Sequence, residues 1–206
     1  MNQLVESEGL LIRQKKDWSE IVISWERANR YLVTDTTGKE LYQAAEVGGS
    51  VILRQLLRMM RPFTVEVRDF AGQLVFTVRR PWRWYFHEVV VSDANGEALG
   101  TVRRRFSWLR RCYNVLDPNG QQCFELLGPI LRPWTFLVRR DGIELGAIRK
   151  KWSGLLKEAF TGADNFGIAW PREMHECEKA ILLGAVFLID FLHFENNNYQ
   201  AAGLDG

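Results

Sequence analysis

Four aspartates stand at a constant spacing of 24 residues: Asp69, Asp93, Asp117 and Asp141. Each opens a turn signal, in Asp69-Phe-Ala-Gly72, Asp93-Ala-Asn-Gly96, Asp117-Pro-Asn-Gly120 and Asp141-Gly142, and Asp35-Thr-Thr-Gly38 has the same form upstream. Aspartate opens such turns through its side chain, and glycine accepts positive φ. Strand-like runs flank each turn, as Phe63-Thr-Val-Glu-Val67 and Leu74-Val-Phe-Thr-Val78 flank the second. β-branched and aromatic runs around such turns read as hairpins, and their recurrence reads as a repeat. Five hairpins give ten strands, and Leu10–Arg13 and Ile21–Trp25 offer two more. The expectation is a mainly β fold: a closed antiparallel barrel of about twelve strands, with no open edge to invite aggregation.

A barrel of that size needs filling. From Lys179 to Phe194 the chain is apolar almost all round, as buried helices are. From Ala180 to Phe194 a helix is roughly 22 Å long, against about 30 Å for a hydrocarbon core. Asp190 adds a cost of about 3 kcal/mol or more at a bilayer centre. The helix, expected over about Glu176 to Phe194, is therefore assigned to the barrel core, with membrane insertion as the competing reading. Ser50 to Arg61 reads as a short basic amphipathic helix stopped by Pro62, or an irregular connection with that bias. Residues 1–9 form a polar N-terminal segment, 10–195 the barrel domain and 196–206 a polar tail.

The chain has 206 residues, 47% hydrophobic and 25% charged, which suits one globular domain and not a disordered chain. Three cysteines without a CxxC argue against a disulfide framework or zinc site and for a reducing compartment. The N-terminus has no signal-peptide character, so a cytoplasmic protein, peripheral at a membrane, is expected. No nucleophile-elbow, zincin, phosphate-loop or dinucleotide motif is present. His175 and Cys177, two residues apart on a helix, face differently. No covalent chemistry is expected.

Net charge is only +2, but arginine clusters with aromatics. One run holds Arg79, Arg80, Trp82, Arg83 and Trp84. A second holds Arg103, Arg104, Arg105, Trp108, Arg110 and Arg111. A third holds Arg149, Lys150, Lys151 and Trp152. Guanidinium binds phosphate bidentately and tryptophan prefers membrane interfaces, so these residues are the candidate lipid-binding set. Their similar places after the turns would gather them at one end of a barrel. Two other readings stay open: nucleic-acid binding by stacking and backbone contacts, and plain strand alternation with arginines in water and aromatics in the core.

Gly162 to Glu173 has the length of a calcium loop, with Asp164 third, Gly167 sixth, Ile168 seventh and Glu173 twelfth. Gly162 and Phe166 stand where ligands belong. Asp164, Ile168 and Glu173 are the candidate metal residues, with a structural turn as the alternative.

Glu158-Ala-Phe-Thr-Gly-Ala-Asp-Asn-Phe-Gly-Ile168, Pro171, Lys179-Ala and Leu183-Gly-Ala-Val-Phe-Leu-Ile-Asp-Phe191 resemble the C-terminal signature of the phospholipid scramblase family. Arg61-Pro-Phe63, Arg80-Pro81, Gly128-Pro129 and Gly146-Ala-Ile-Arg-Lys-Lys-Trp-Ser-Gly154 agree with it. The resemblance implies a tubby-like fold, a twelve-stranded barrel around a C-terminal helix. It also implies binding to anionic phospholipid membrane and calcium-activated movement of phospholipid between leaflets. The family's calcium loop begins with aspartate where this chain has Gly162, and the acylated cysteine cluster of animal members is absent. The alternatives are a soluble lipid- or protein-binding scaffold without transport, and a nucleic-acid binder. Oligomeric state is not fixed by any of these residues.

Overall fold

The aspartate turns form as their chemistry requires. Asp93 Oδ1 accepts from the N–H groups of Asn95 at 2.9 Å and Glu97 at 2.8 Å. Asp35 and Asp117 do the same two and four residues on. In these turns Gly38, Gly96 and Gly120 take φ of 92°, 88° and 81°. The Asp141-Gly142 turn is tighter, and Asp141 itself takes φ of 52°.

The structure is a computed structural model describing residues 1–14, 30–48, 61–82, 87–150 and 165–193. The strands are β1 (Gly9–Gln14), β2 (Arg30–Asp35), β3 (Glu40–Val47), β4 (Phe63–Arg68), β5 (Leu74–Arg80) and β6 (Glu88–Asp93). They continue with β7 (Ala98–Arg105), β8 (Arg111–Leu116), β9 (Gln122–Gly128), β10 (Thr135–Arg140), β11 (Ile143–Lys150) and β12 (Asn165–Ala169). Each pairs antiparallel with its sequence neighbour, and β1 pairs with β12, so the twelve strands close into a barrel. The expected strand count holds, but one member differs. Ile21–Trp25 lies outside the described residues, and the strand that closes the ring is Asn165–Ala169, inside the segment read as a calcium loop.

All five turn hairpins share a further feature. Three residues past the turn glycine, one residue is skipped by the pairing: Leu41, Val75, Leu99, Cys123 and Leu145. A one-residue bulge bends the strand and increases its twist, which is what curling a sheet into a barrel demands. Leu41 is buried, and the other four pack against the core from partly buried positions.

The helix α1 (Asn2–Val5) lies at one mouth, and α2 (Glu176–His193) fills the barrel. Every residue from Lys179 to Leu192 is buried. The helix is described to His193, and the expected boundary, Phe194, lies outside the described residues. It runs closest to β6 and β7, where two glycines permit the approach. A Cβ on Gly184 would stand 2.6 Å from Val91 Cγ2, and one on Gly100 would stand 2.5 Å from Ile181 Cδ1. No helix among the described residues is long and apolar enough to cross a membrane. Of the segment Ser50 to Arg61, only Arg61 lies within the described residues.

The first nine residues are not detached from the barrel. Leu4 is fully buried, and Trp170 Nε1–H donates to the Ser7 carbonyl at 2.9 Å. The Lys179 ammonium donates to the carbonyls of Leu4 and Arg172 at 3.0 Å and of Val5 and Ser7 at 2.9 Å. These include carbonyls at the C-terminus of α1, which have no partner within the helix. Burial lowers the pKa of this lysine. Its position seals the mouth on the side of the aspartate turns.

Candidate functional site: the basic end of the barrel

In an up-and-down barrel every second connection lies at the same end. The five aspartate turns join β2–β3, β4–β5, β6–β7, β8–β9 and β10–β11, so all lie at the turn end. The other connections lie at the opposite end: β1–β2, β3–β4, β5–β6, β7–β8, β9–β10 and β11–β12. The described members of the basic-aromatic runs occupy the strand ends and connections there. The meander therefore separates charge that the net value of +2 conceals. The turn end carries the five turn aspartates with Glu173, Glu176 and Glu178 against a smaller number of cations, Lys39, Arg68, Arg140 and Arg172 among them, and the opposite end is dominated by arginine.

Within the first run, Arg79 is exposed, Arg80 is only 2% exposed, and Trp82 is half-exposed. Arg83 and Trp84 lie outside the described residues, as do Lys151, Trp152 and Asp164. In the second run Arg103 and Arg105 point outward, pairing with Glu88 at 2.9 Å and Glu125 at 2.6 Å. Arg104 is half-buried, Arg110 is exposed, and the Arg111 guanidinium lies 4.7 Å above the Phe136 ring. Trp108 is 88% exposed. In the third run Arg149 is exposed, and Lys150 Nζ sits 4.0 Å from Asp190 Oδ1. Alternation holds along β5, but it places Arg80 inside, and Trp108, in a connection, is outside, so arginines are not all in water nor aromatics all in the core.

A buried polar layer lies beneath this surface, around the end of α2. Arg61 and Glu46 form a two-pronged ion pair with both side chains buried. The guanidiniums of Arg61 and Arg80 lie 4.6 Å and 4.7 Å from the centre of the Phe191 ring. The Tyr31 hydroxyl donates to Asp190 Oδ2 at 2.8 Å. Asp190, read in the sequence as a charge that disfavours a membrane span, is held here by partners within the barrel. Tyr113 Oη and His193 Nε2 are 2.7 Å apart, and Arg80 contacts His87 Nδ1. Burial, then the neighbouring arginines Arg80 and Arg104, push His87 down to about 4. Burial, then Arg111 and Arg104, push His193 down to about 4 as well. Both imidazoles are neutral at neutral pH, so the positive charge of this end comes from arginine and lysine.

Sequence reasoning missed exposed apolar residues at this end. Phe106 and Leu109 lie beside Trp108 in the β7–β8 connection, and Ile130, Leu131 and Trp134 lie in the β9–β10 connection. A signal was present: Pro129 and Pro133 bracket Ile130 and Leu131, marking an apolar pair inside a turn-rich connection and not a strand.

Of the three candidate metal residues, Asp164 lies outside the described residues, and the other two are placed on a strand and in a turn. Ile168 lies in β12, paired with Leu10 on one side and Ile148 on the other, with its side chain in the core. Glu173 is exposed in the turn beyond Trp170. Five of the twelve loop positions form an extended strand. Among the described residues no group of three or more His, Cys, Asp and Glu is placed to hold a metal. Burial, then Glu176, raises the pKa of the Cys177 thiol, the reverse of nucleophile activation.

A family model described as Scramblase matches residues 1–196. The chain belongs to the scramblase family. It is 30% identical over 209 residues to human phospholipid scramblase 2, covering 95% of this chain and 70% of that one. It is 30% identical over 219 residues to mouse phospholipid scramblase 1, covering 98% and 66%. A solved structure of an Arabidopsis thaliana protein matches with a TM-score of 0.50 at 14% identity, covering 90% of this chain and 94% of that one, which speaks to fold alone. For this scramblase-family chain, the match spans the barrel, the core helix and the basic end together.

Proposed function

We propose that this protein is a phospholipid scramblase that binds anionic phospholipid at its basic end and moves phospholipids between bilayer leaflets, without making or breaking covalent bonds. The observation that carries the reading is the gathering of arginine and exposed aromatic side chains at one barrel end, in a chain of the scramblase family. Guanidinium recognises phosphate, and tryptophan favours the interfacial zone. The protein works as a peripheral one, from the cytoplasmic face. Lipid does not pass through the barrel, because α2 fills it and its lining is packed. Passage occurs beside the barrel, where the docked end disturbs headgroup packing. Calcium control is not part of this reading, since Gly162 and Phe166 cannot donate carboxylates and residues 165–169 are extended.

The test is dithionite quenching of a labelled lipid in reconstituted liposomes, with and without calcium. The expected result is faster loss of inner-leaflet fluorescence than in empty liposomes, unchanged by calcium. Rates equal to empty liposomes in both conditions would remove the transport claim. The filled barrel favours one second reading, a scaffold that binds lipid without moving it. Vesicle co-sedimentation without scrambling would select that reading.

A further inference from the structure

We infer that the barrel docks end-on to an anionic phospholipid bilayer, with the β7–β8 and β9–β10 connections inserted and the turn end facing water. The inference deepens the proposed lipid binding and rests on it. Leu131 is 93% exposed, and Ile130, Phe106, Trp108 and Leu109 are exposed with it. The two connections are neighbours in space, because β8 pairs with β9 along its length. Single exposed apolar residues are ordinary on a soluble protein, but a contiguous group at one end marks an interaction surface.

Charge names the partner. Arg110 and Arg132 are exposed within the same two connections and form no ion pair among the described residues. Exposed Arg79 adds to them from the end of β5. An apolar tip ringed by guanidinium fits a surface that is anionic outside and hydrocarbon beneath. A nucleic acid offers phosphate and flat bases, which suits Trp108 but gives Ile130 and Leu131 no apolar layer to enter. The turn end carries the opposite sign, so an anionic surface repels it. The polarity of the barrel thus orients the molecule before any side chain inserts. In this pose the His193 end of α2 faces the bilayer, and Lys179 and the α1 seal face away.

The test uses the full chain and vesicles of phosphatidylserine with phosphatidylcholine, compared with phosphatidylcholine alone. Ile130→Asp with Leu131→Asp is expected to lower vesicle affinity about tenfold or more, because two apolar insertions are lost. Ile143→Asp, at a residue 67% exposed on the turn end, is expected to leave affinity unchanged. Circular dichroism checks that both variants fold. A second readout places an environment-sensitive dye on Leu131→Cys or Ile143→Cys. Cys123 and Cys177 are replaced by serine, and buried Cys112 is left in place. A blue shift on anionic vesicles at position 131 and none at 143 supports end-on docking. A dye that stays in water at 131 while the protein sediments with vesicles overturns the docking pose and leaves lipid binding standing. Failure of the unmodified chain to bind any vesicle removes the lipid-binding reading itself. A self-association broken by Leu131→Asp, without vesicle binding, would assign the patch to a second copy and overturn the inference.

Discussion

Lys179 shows how one side chain can hold two distant parts of a fold. It is fully buried, and four backbone carbonyls surround its ammonium. A buried carbonyl that loses its donor carries the whole cost of desolvation, about 1–3 kcal/mol for each group. Lys179→Met keeps the apolar stem and removes the donor, so unfolding free energy is expected to fall by about 3 kcal/mol or more in urea titration. A fall of under about 1 kcal/mol would mean that water takes over the role. This residue was visible in the sequence as the polar start of an apolar helix and as part of the family resemblance, but not by its contacts. Its partners are backbone atoms, the first of them 175 residues earlier, so no side-chain pattern records them. Arg80 was hidden differently. It looks like its neighbour Arg79, and only the register of β5 decides which of the two points inward.

At the scale of elements, what was legible is what is local. Four of the turns are specified within a few residues by backbone N–H groups donating to Asp Oδ1 and by the following glycine, and the fifth by Asp141-Gly142, so five hairpins could be read directly. The bulges at Leu41, Val75, Leu99, Cys123 and Leu145 repeat at a constant offset but have no distinctive residue type. The closing strand β12 was missed because Asn-Phe-Gly-Ile-Ala is short and carries a glycine, and its pairing with β1 is long-range. The helix was legible from its apolar run, but not the face by which it touches the wall. Gly184 is that contact. Gly184→Ala puts a methyl 2.6 Å from Val91 Cγ2, and Gly184→Val adds two more carbons to the same gap. Overpacking of this kind costs about 1–3 kcal/mol. A graded fall in Tm, glycine above alanine above valine, is expected. Equal Tm values for glycine and valine would show that α2 slides freely against β6.

At the scale of the whole molecule, the runs of arginine lie far apart along the chain, and only the alternation of barrel ends unites them. Sequence reading could anticipate that gathering, but not the burial of Arg80 or the exposure of the Ile130–Leu131 tip. The same gathering makes the basic end sensitive to acid. His87 and His193 have ordinary values of 6.5 and lie at about 4 in the fold, so the unfolded chain binds more protons between those values. Their contribution to stability is present above pH 6.5 and is lost progressively as pH falls toward 4. Below about pH 5 carboxylates titrate too. The histidine contribution is therefore read between about pH 5 and 6.5, where His87→Gln with His193→Gln is expected to flatten the dependence of Tm on pH. An unchanged slope would remove this account.

The polarity of the barrel also separates net charge from its location. Arg79→Glu with Arg110→Glu and Lys39→Glu with Arg172→Glu each change the total charge by −4, since two cations become anions in both. All four positions are exposed, the first pair at the basic end and the second at the turn end. If overall charge governed attraction to anionic vesicles, the two double variants would bind equally weakly. If the basic end makes the contact, only the first pair stands within a Debye length of the bilayer, about 8 Å at physiological salt. Each arginine near an anionic surface contributes about 1 kcal/mol, and each reversal adds repulsion, so the first variant is expected to lose about a hundredfold in affinity. The second is expected to lose little, and added salt should shrink the gap between them. Equal losses in both would mean that the segregation of charge along the barrel does not direct how this protein meets a membrane.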